Sequence, residues 1–270
     1  MVRSFFKGIS LLFFVVFAFV QSAAHAAEVV NLDTDARFSD AVADAGMYHP
    51  DAFQHTGVYL TQPVSPTKEV VVFVHGAKGH PGNFRDIVRA LDSSRYQAWL
   101  VYYPSGNRLA DSSAMLAQEV SKLASAHGIS RVQVFAHSMG GLVAWQMTQQ
   151  LRQDMDVKDL VTVATPWNGH WASRLGVLLS FNPVPSWSDL VPDNDRLRKI
   201  WEDTDRPQHK LVFALTRDDS SASGDGTISK DSQLSSAMVE QADEVIKLIG
   251  THTSVLHEES SVRALVALLN

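Results

Sequence analysis

The sequence predicts an α/β fold in which a mostly parallel central sheet carries helices on both faces. Three observations lead there. Apolar, β-branched runs alternate with helix-patterned segments along the chain. The runs are continuously apolar, which suits strands covered on both sides. No Gly/Ser/Pro-rich linker, charge block or internal repeat divides the 270 residues, so one domain with one sizeable core is expected.

Taken in order, Gly57 to Thr61 reads as a short antiparallel edge strand. The clearest strands follow at Glu69 to Val74 (EVVVFV), Ala98 to Tyr103 (AWLVYY), Arg131 to Phe135 (RVQVF), Leu160 to Val163 (LVTV), Leu211 to Leu215 (LVFAL) and Glu244 to Leu248 (EVIKL). Helices are expected between and after them, at Asn83 to Leu91, Ala110 to Ala126, Gly140 to Leu151 and Glu258 to Leu269. In Ala110 to Ala126 the residues Met115, Val120 and Leu123 share a face, and Gly128 supplies a stop just past the end.

Trp167 to Asp205 breaks this rhythm, standing where a short connection would normally run. It carries Trp171, Leu175, Val177, Leu178, Leu179, Phe181, Val184 and Trp187. Such a stretch is either a lid or acyl-binding wall beside a site, or a helical hairpin that completes the core. The sequence leaves both open.

The first 26 residues have the three zones of a secretory signal peptide. Arg3 and Lys7 form a basic head, Ile9 to Val20 an apolar stretch too short for a comfortable membrane span, and Ala24-His25-Ala26 a small-x-small cleavage site. A mature chain from Ala27, periplasmic or secreted, is therefore expected, with an uncleaved anchor as the alternative. Cleavage removes two cations and no acid, taking the formal charge from −6 to −8. An acidic surface argues against nucleic acid as a partner. The absence of cysteine excludes disulfides, zinc–thiolate sites and thiol chemistry.

The sharpest local signal is Arg131 to Gly141, RVQVFAHSMGG, an apolar strand running into Ser138 and then into a helix-patterned segment. Attack on a carbonyl needs a hydroxyl held clear of the sheet and within reach of a base, which a tight strand–turn–helix provides. Ala136 and Gly140, two places either side of Ser138, are small enough for strand and helix to approach. Alanine stands where the usual G-x-S-x-G pattern has its first glycine, a mild departure of one methyl group.

These residues resemble the α/β-hydrolase superfamily, in particular bacterial secreted lipases and esterases with an AHSMGG elbow. The resemblance covers nearly all of the mature chain. It also rests on the strand-His75-Gly76 pair, Thr165-Pro166, the Asp225-Gly226 turn, a late His252, and Asp189 to Trp201. It implies an α/β-hydrolase fold with the apolar insertion after the sixth strand, and a triad in the chain order serine, acid, histidine. His252, in Gly250-Thr-His-Thr-Ser254, is then the expected base, with His257 five residues on as the alternative. The acid lies among Asp218, Asp219, Asp225 and Asp231, and the family's Gly-Asp-Gly-hydrophobic motif points to Asp225. Asp218, Asp219 and Asp225 could instead ligate calcium, although their spacing matches no calcium loop. The oxyanion donors implied are the N–H of Met139, after the nucleophile, and the N–H of Ala77, after the first long strand.

The remaining histidines draw plainer expectations. His75 props its loop, His80 and Lys78 are solvated, and His137 and Met139 shape the pocket. His127, His170 and His209 are surface or loop groups without a partner at ligand spacing, and no metal or cofactor is implied. The expected function is hydrolysis of a small-molecule carboxylic ester or lipid through an acyl-enzyme on Ser138. Thioesterase, amidase and acyltransferase chemistry use the same residues. A catalytically silent binding protein would lack a triad member, and none is missing here. A third reading has Trp167 to Trp187 contact a membrane surface.

Overall fold

The strand Glu69–Val74 alternates its side chains between two cores. Val70, Val72 and Val74 pack into one and Val71 and Phe73 into the other, which is why the run is apolar at every position after Glu69. The computed structural model describes residues 27–200, 206–216 and 224–270. The leader and its cleavage site, Trp201 to Asp205 at the end of the insertion, and Asp218 and Asp219 lie outside the described residues.

Eight strands are described: β1 (Glu28–Val29), β2 (Gly57–Leu60), β3 (Glu69–Val74), β4 (Tyr96–Tyr102), β5 (Arg131–His137), β6 (Asp156–Val163), β7 (Gln208–Leu215) and β8 (Glu244–Ile249). They form one sheet in the order β1-β2-β4-β3-β5-β6-β7-β8. All neighbours run parallel except β2 with β4, paired through Gly57↔Tyr102 and Leu60↔Trp99. The antiparallel strand expected at Gly57 to Thr61 is there, but it is not the edge, because β1 pairs outside it through Glu28↔Tyr59.

The helices are α1 (Asp40–Tyr48), α2 (Arg85–Ala90), α3 (Leu109–Ala126), α4 (Met139–Leu151), α5 (Trp171–Leu179), α6 (Pro185–Asp189), α7 (Asp195–Lys199), α8 (Lys230–Gln233), α9 (Ser236–Gln241) and α10 (Glu259–Ala267). Helices α3 and α4 cover the face of Val72 and Val134, while α2 and α10 cover the face of Phe73 and Phe135. Along α3 the covered stripe is Leu109, Leu116, Val120 and Ala124, with Met115 and Leu123 flanking it half-buried. Gly128 ends the helix at φ 65°, and Ile129 N–H closes onto Ala124 O at 2.9 Å. Among the described residues no helix is long and apolar enough to cross a membrane.

The stretch that broke the strand–helix rhythm divides into two parts. Trp167 is fully buried against Trp145 and His209, and Val184, Leu190 and Leu197 are also buried. Trp171, Leu175, Leu178, Leu179 and Phe181 are exposed. One part therefore completes the core and the other leaves an apolar face uncovered. His209, expected at the surface or in a loop, lies on β7 at zero exposure with its Nε2 2.8 Å from Thr162 Oγ1.

Candidate active site

Ser138 stands at the junction of β5 and α4 with φ 56° and ψ −136°, a backbone state that costs a non-glycine residue about 1–3 kcal/mol. Its surroundings hold it there. Ser138 N–H donates to Val163 O at 2.8 Å, and Gly141 N–H to Ser138 O at 2.9 Å. The glycines after the serine admit the close approach: a Cβ on Gly140 would stand 2.4 Å from His75 O, and one on Gly141 2.0 Å from Thr165 Oγ1. The turn therefore lifts Ser138 Oγ to the C-terminal end of the parallel strands, where the loops converge.

His252 and Asp225 arrive from loops after β8 and β7. His252 Nε2 lies 2.9 Å from Ser138 Oγ, and its Nδ1 lies 2.6 Å from Asp225 Oδ2. Asp225 is fully buried in a turn between Gly224 at φ 69° and Gly226 at φ 90°, conformations that glycine adopts without strain. Its Oδ1 accepts from Thr227 N–H at 2.9 Å and Ile228 N–H at 2.7 Å, while its backbone O accepts His252 N–H at 3.0 Å. With Asp225 Oδ2 accepting from Nδ1–H, His252 presents an unprotonated Nε2 to the serine hydroxyl, a tautomer assigned from these partners.

Two residues that line the same pocket carry N–H groups without a partner among the described residues. Met139 opens α4, so its N–H has no acceptor within the helix. Ala77 N–H also has no partner among the described residues, although those of the next two residues are tied: Lys78 N–H donates to Ser105 Oγ at 3.0 Å and Gly79 N–H to Gly76 O at 3.1 Å. Ala77, Met139, Ser138 and His252 line one cavity of about 430 Å³, whose apolar wall includes Met47, Pro166, Trp187, Leu190 and Ile228.

The structure brings together Ser138, Asp225, His252, Ala77 and Met139 as the sequence predicts. The rival groups stand elsewhere. His257 is exposed and pairs with Asp86 at 2.7 Å, and Asp231 is exposed at the start of α8. Both carboxylate oxygens of Asp225 are occupied by N–H donors, which leaves them poorly placed for a calcium ion.

His75 holds the loop, as expected. Its Nδ1 meets Gly76 O at 2.9 Å, Tyr103 OH donates to His75 O at 2.7 Å, and the two rings stack at 4.4 Å. Burial pushes its pKa down to about 3, so it stays neutral. Two expectations need correction. His80 is not solvated but buried, 3.6 Å from Asp40 of α1, because the Pro81–Phe84 turn folds over it. His137 does not line the pocket: it is buried behind His252, with Nε2 2.8 Å from His252 O. Lys78 is half-exposed, 3.0 Å from Asp44 and 4.7 Å from the Tyr48 ring centre. His170 lines the pocket and meets Thr227 O at 3.0 Å. Sequence reasoning also missed Met47, which α1 carries into the pocket wall. Helix α1 has no strong apolar stripe, since it buries only Ala43, Gly46 and Met47.

A parallel sheet with helices on both faces and a serine at a strand-to-helix turn define the class of α/β proteins that present a nucleophile-type residue at the strand ends. The chain matches the family model for the alpha/beta hydrolase fold over residues 69–222, more than half of its length, and belongs to that family. Solved structures agree on the fold. The mature form of a Bacillus licheniformis lipase superposes with a TM-score of 0.60 at 17% identity, over 79% of this chain and 98% of that one. A monoacylglycerol lipase from Paleococcus ferrophilus gives 0.55 at 15% identity, over 78% and 98%. The thioesterase domain from the curacin biosynthetic pathway gives 0.51 at 15% identity, over 76% and 92%. At these identities the likeness speaks for the fold alone. No curated protein sequence matches the chain significantly.

Proposed function

We propose that this chain is a serine hydrolase of carboxylic esters, with Ser138 as nucleophile, His252 as general base and acid, and Asp225 orienting His252. The observation that carries the reading is the unbroken hydrogen-bond chain Asp225–His252–Ser138 opening onto an apolar cavity beside two unpartnered N–H groups. Ser138 Oγ bonds to the ester carbon as His252 Nε2 takes its proton, and the carbonyl electron pair moves onto oxygen. Ala77 and Met139 N–H donate to that oxyanion, each worth about two to three powers of ten in turnover. Collapse breaks the ester C–O bond, His252 returns the proton to the leaving alkoxide, and water repeats the cycle on the acyl-enzyme.

The cavity suits a lipid-like or medium-chain acyl group. Its volume of about 430 Å³ holds roughly a dozen heavy atoms at a liquid-like ~30 Å³ each. The exposed apolar side chains of α5 stand next to this cavity, through Ala172 and Ser173, and serve as a lid or a membrane-surface contact in this reading. A thioester substrate is the second reading, since the same residues and the same steps serve a thioester carbonyl. The leader makes the protein an exported one, and N-terminal sequencing of the exported chain should begin at Ala27.

Labelling with a fluorophosphonate probe tests the nucleophile. Wild type should label and Ser138→Ala should not, and equal labelling of both would move the nucleophile elsewhere. A panel of matched esters and thioesters of increasing acyl length then separates the substrate classes, and a steep loss beyond short chains would remove the lipid-like assignment.

A further inference from the structure

The residue before the nucleophile is a buried imidazole that the mechanism above does not use. His137 ends β5 at 7% exposure. Its Nε2 lies 2.8 Å from the backbone oxygen of His252, and the two rings are 4.6 Å apart, tilted by 43°. A carbonyl oxygen can only accept, so this contact assigns the proton of His137 to Nε2.

We infer that His137 is a positioning residue: by donating Nε2–H to His252 O, it fixes the backbone of the base at the distance at which His252 Nε2 meets Ser138 Oγ. The inference rests on the functional reading above.

The geometry of His252 gives the argument. The residue is tied at its N–H to Asp225 O at 3.0 Å, at Nδ1 to Asp225 Oδ2 at 2.6 Å, and at its carbonyl to His137. The first two ties lead to one residue, on the loop after β7, and the further backbone tie of the loop after β8, Gly250 N–H to Leu215 O at 2.8 Å, also leads to β7. The third comes from the residue bonded to Ser138, on β5, with β6 and β7 lying between it and β8. Nucleophile and base are thereby referenced to the same rigid turn. Burial and the neighbouring His252 push the His137 pKa down to about 3, so His137 adds no charge against an imidazolium forming on His252 and does not compete as a base.

The test compares His137→Gln, His137→Asn and His137→Leu. The amide nitrogen of glutamine stands about where Nε2 stands in histidine, while that of asparagine falls short of His252 O. The readout is the rate of Ser138 phosphonylation by a small soluble fluorophosphonate, split into the limiting rate and the half-saturating concentration, counted per titratable site on folded protein. His137→Leu and His137→Asn should lower the limiting rate on the order of 10²-fold, the scale of a 1 Å misplacement, and leave half-saturation within about threefold. His137→Gln should recover most of the rate. Wild-type rates in both short variants, or a glutamine variant as slow as the others, would overturn the inference. If leucine prevents folding, the Gln-to-Asn pair decides, since both are polar and differ in reach. Failure of the wild type to label at all would instead sink the hydrolase reading, so the two failures are distinguishable.

Discussion

The cluster at the strand ends and the insertion beside it solve opposite problems. Around Ser138 almost every group is held twice: Asp225 accepts from two backbone N–H groups besides His252, and the loop of Ala77 is tied through His75, Tyr103 and Ser105. The insertion is pinned on either side of one exposed stretch. Asp189 accepts from Arg108 Nη1 at 2.8 Å and from Leu109 N–H at the start of α3, and His170 reaches Thr227 O. Between them, residues 175–183 make no hydrogen bond to the sheet or its flanking helices among the described residues, and Leu178 and Leu179 are about three-quarters exposed. One region is over-determined and polar inside, the other adaptable and apolar outside. Chemistry that needs atoms placed to within about 0.5 Å belongs on the first, and the proposed contact with an acyl chain falls to the second.

The largest expected effect comes from loosening the rigid side. Asp225→Asn keeps the shape of the turn, yet an amide donor at the Oδ2 position favours the wrong histidine tautomer. Turnover should fall by about 10⁴-fold with the protein still folded. Ester hydrolysis alongside circular dichroism measures this, and a drop of less than tenfold would show that the acid is not Asp225.

A second expectation also follows from burial on the rigid side. Unfolded histidines take up a proton near pH 6.5, whereas burial holds His75, His137 and His209 down at about 3 in the folded chain. Unfolding therefore binds protons between those values, and stability is lost as pH falls through that window. Each histidine steepens the decline by up to ~1.4 kcal/mol per pH unit. The urea midpoint should drop from about pH 7 to pH 5, and His209→Phe should flatten that slope. A midpoint independent of pH would mean that these rings are charged in the fold.

The rigid region was also the legible one. Ser138, Asp225 and His252 could be read because each sits in a short local pattern whose backbone demands it: the glycines after the serine, the positive-φ glycines around the aspartate, and the late loop. Strand β3 was legible to the residue, since a strand covered on both faces is apolar throughout its interior and Glu69 marks where it starts. What the sequence hid depends on distant contacts. Trp167 and Trp171 look alike on paper, yet one is fully buried against Trp145 and the other is 69% exposed. His209 is buried against Trp145 and Trp167, far from it in sequence, and α1 was missed because its contacts are made through Ala43, Gly46 and Met47, which carry little periodic signal. Tertiary packing decides such cases, and local composition does not.

The smallest expected effect tests the adaptable side. Replacing Leu178 and Leu179 together by serine removes apolar surface that is already in water, so folding stability should change by no more than about 0.5 kcal/mol. If α5 meets an acyl-bearing interface, the same change removes burial that occurs only there, at about 25 cal/mol per Å². The double variant should then match wild type on a short soluble ester and fall several-fold on an emulsified long-chain ester, and it should sediment less with liposomes. Equal losses on both substrates would place these leucines in the working of the pocket. No loss on either would leave α5 as exposed surface without a role in substrate capture, and the contrast between the two regions would then be one of packing alone.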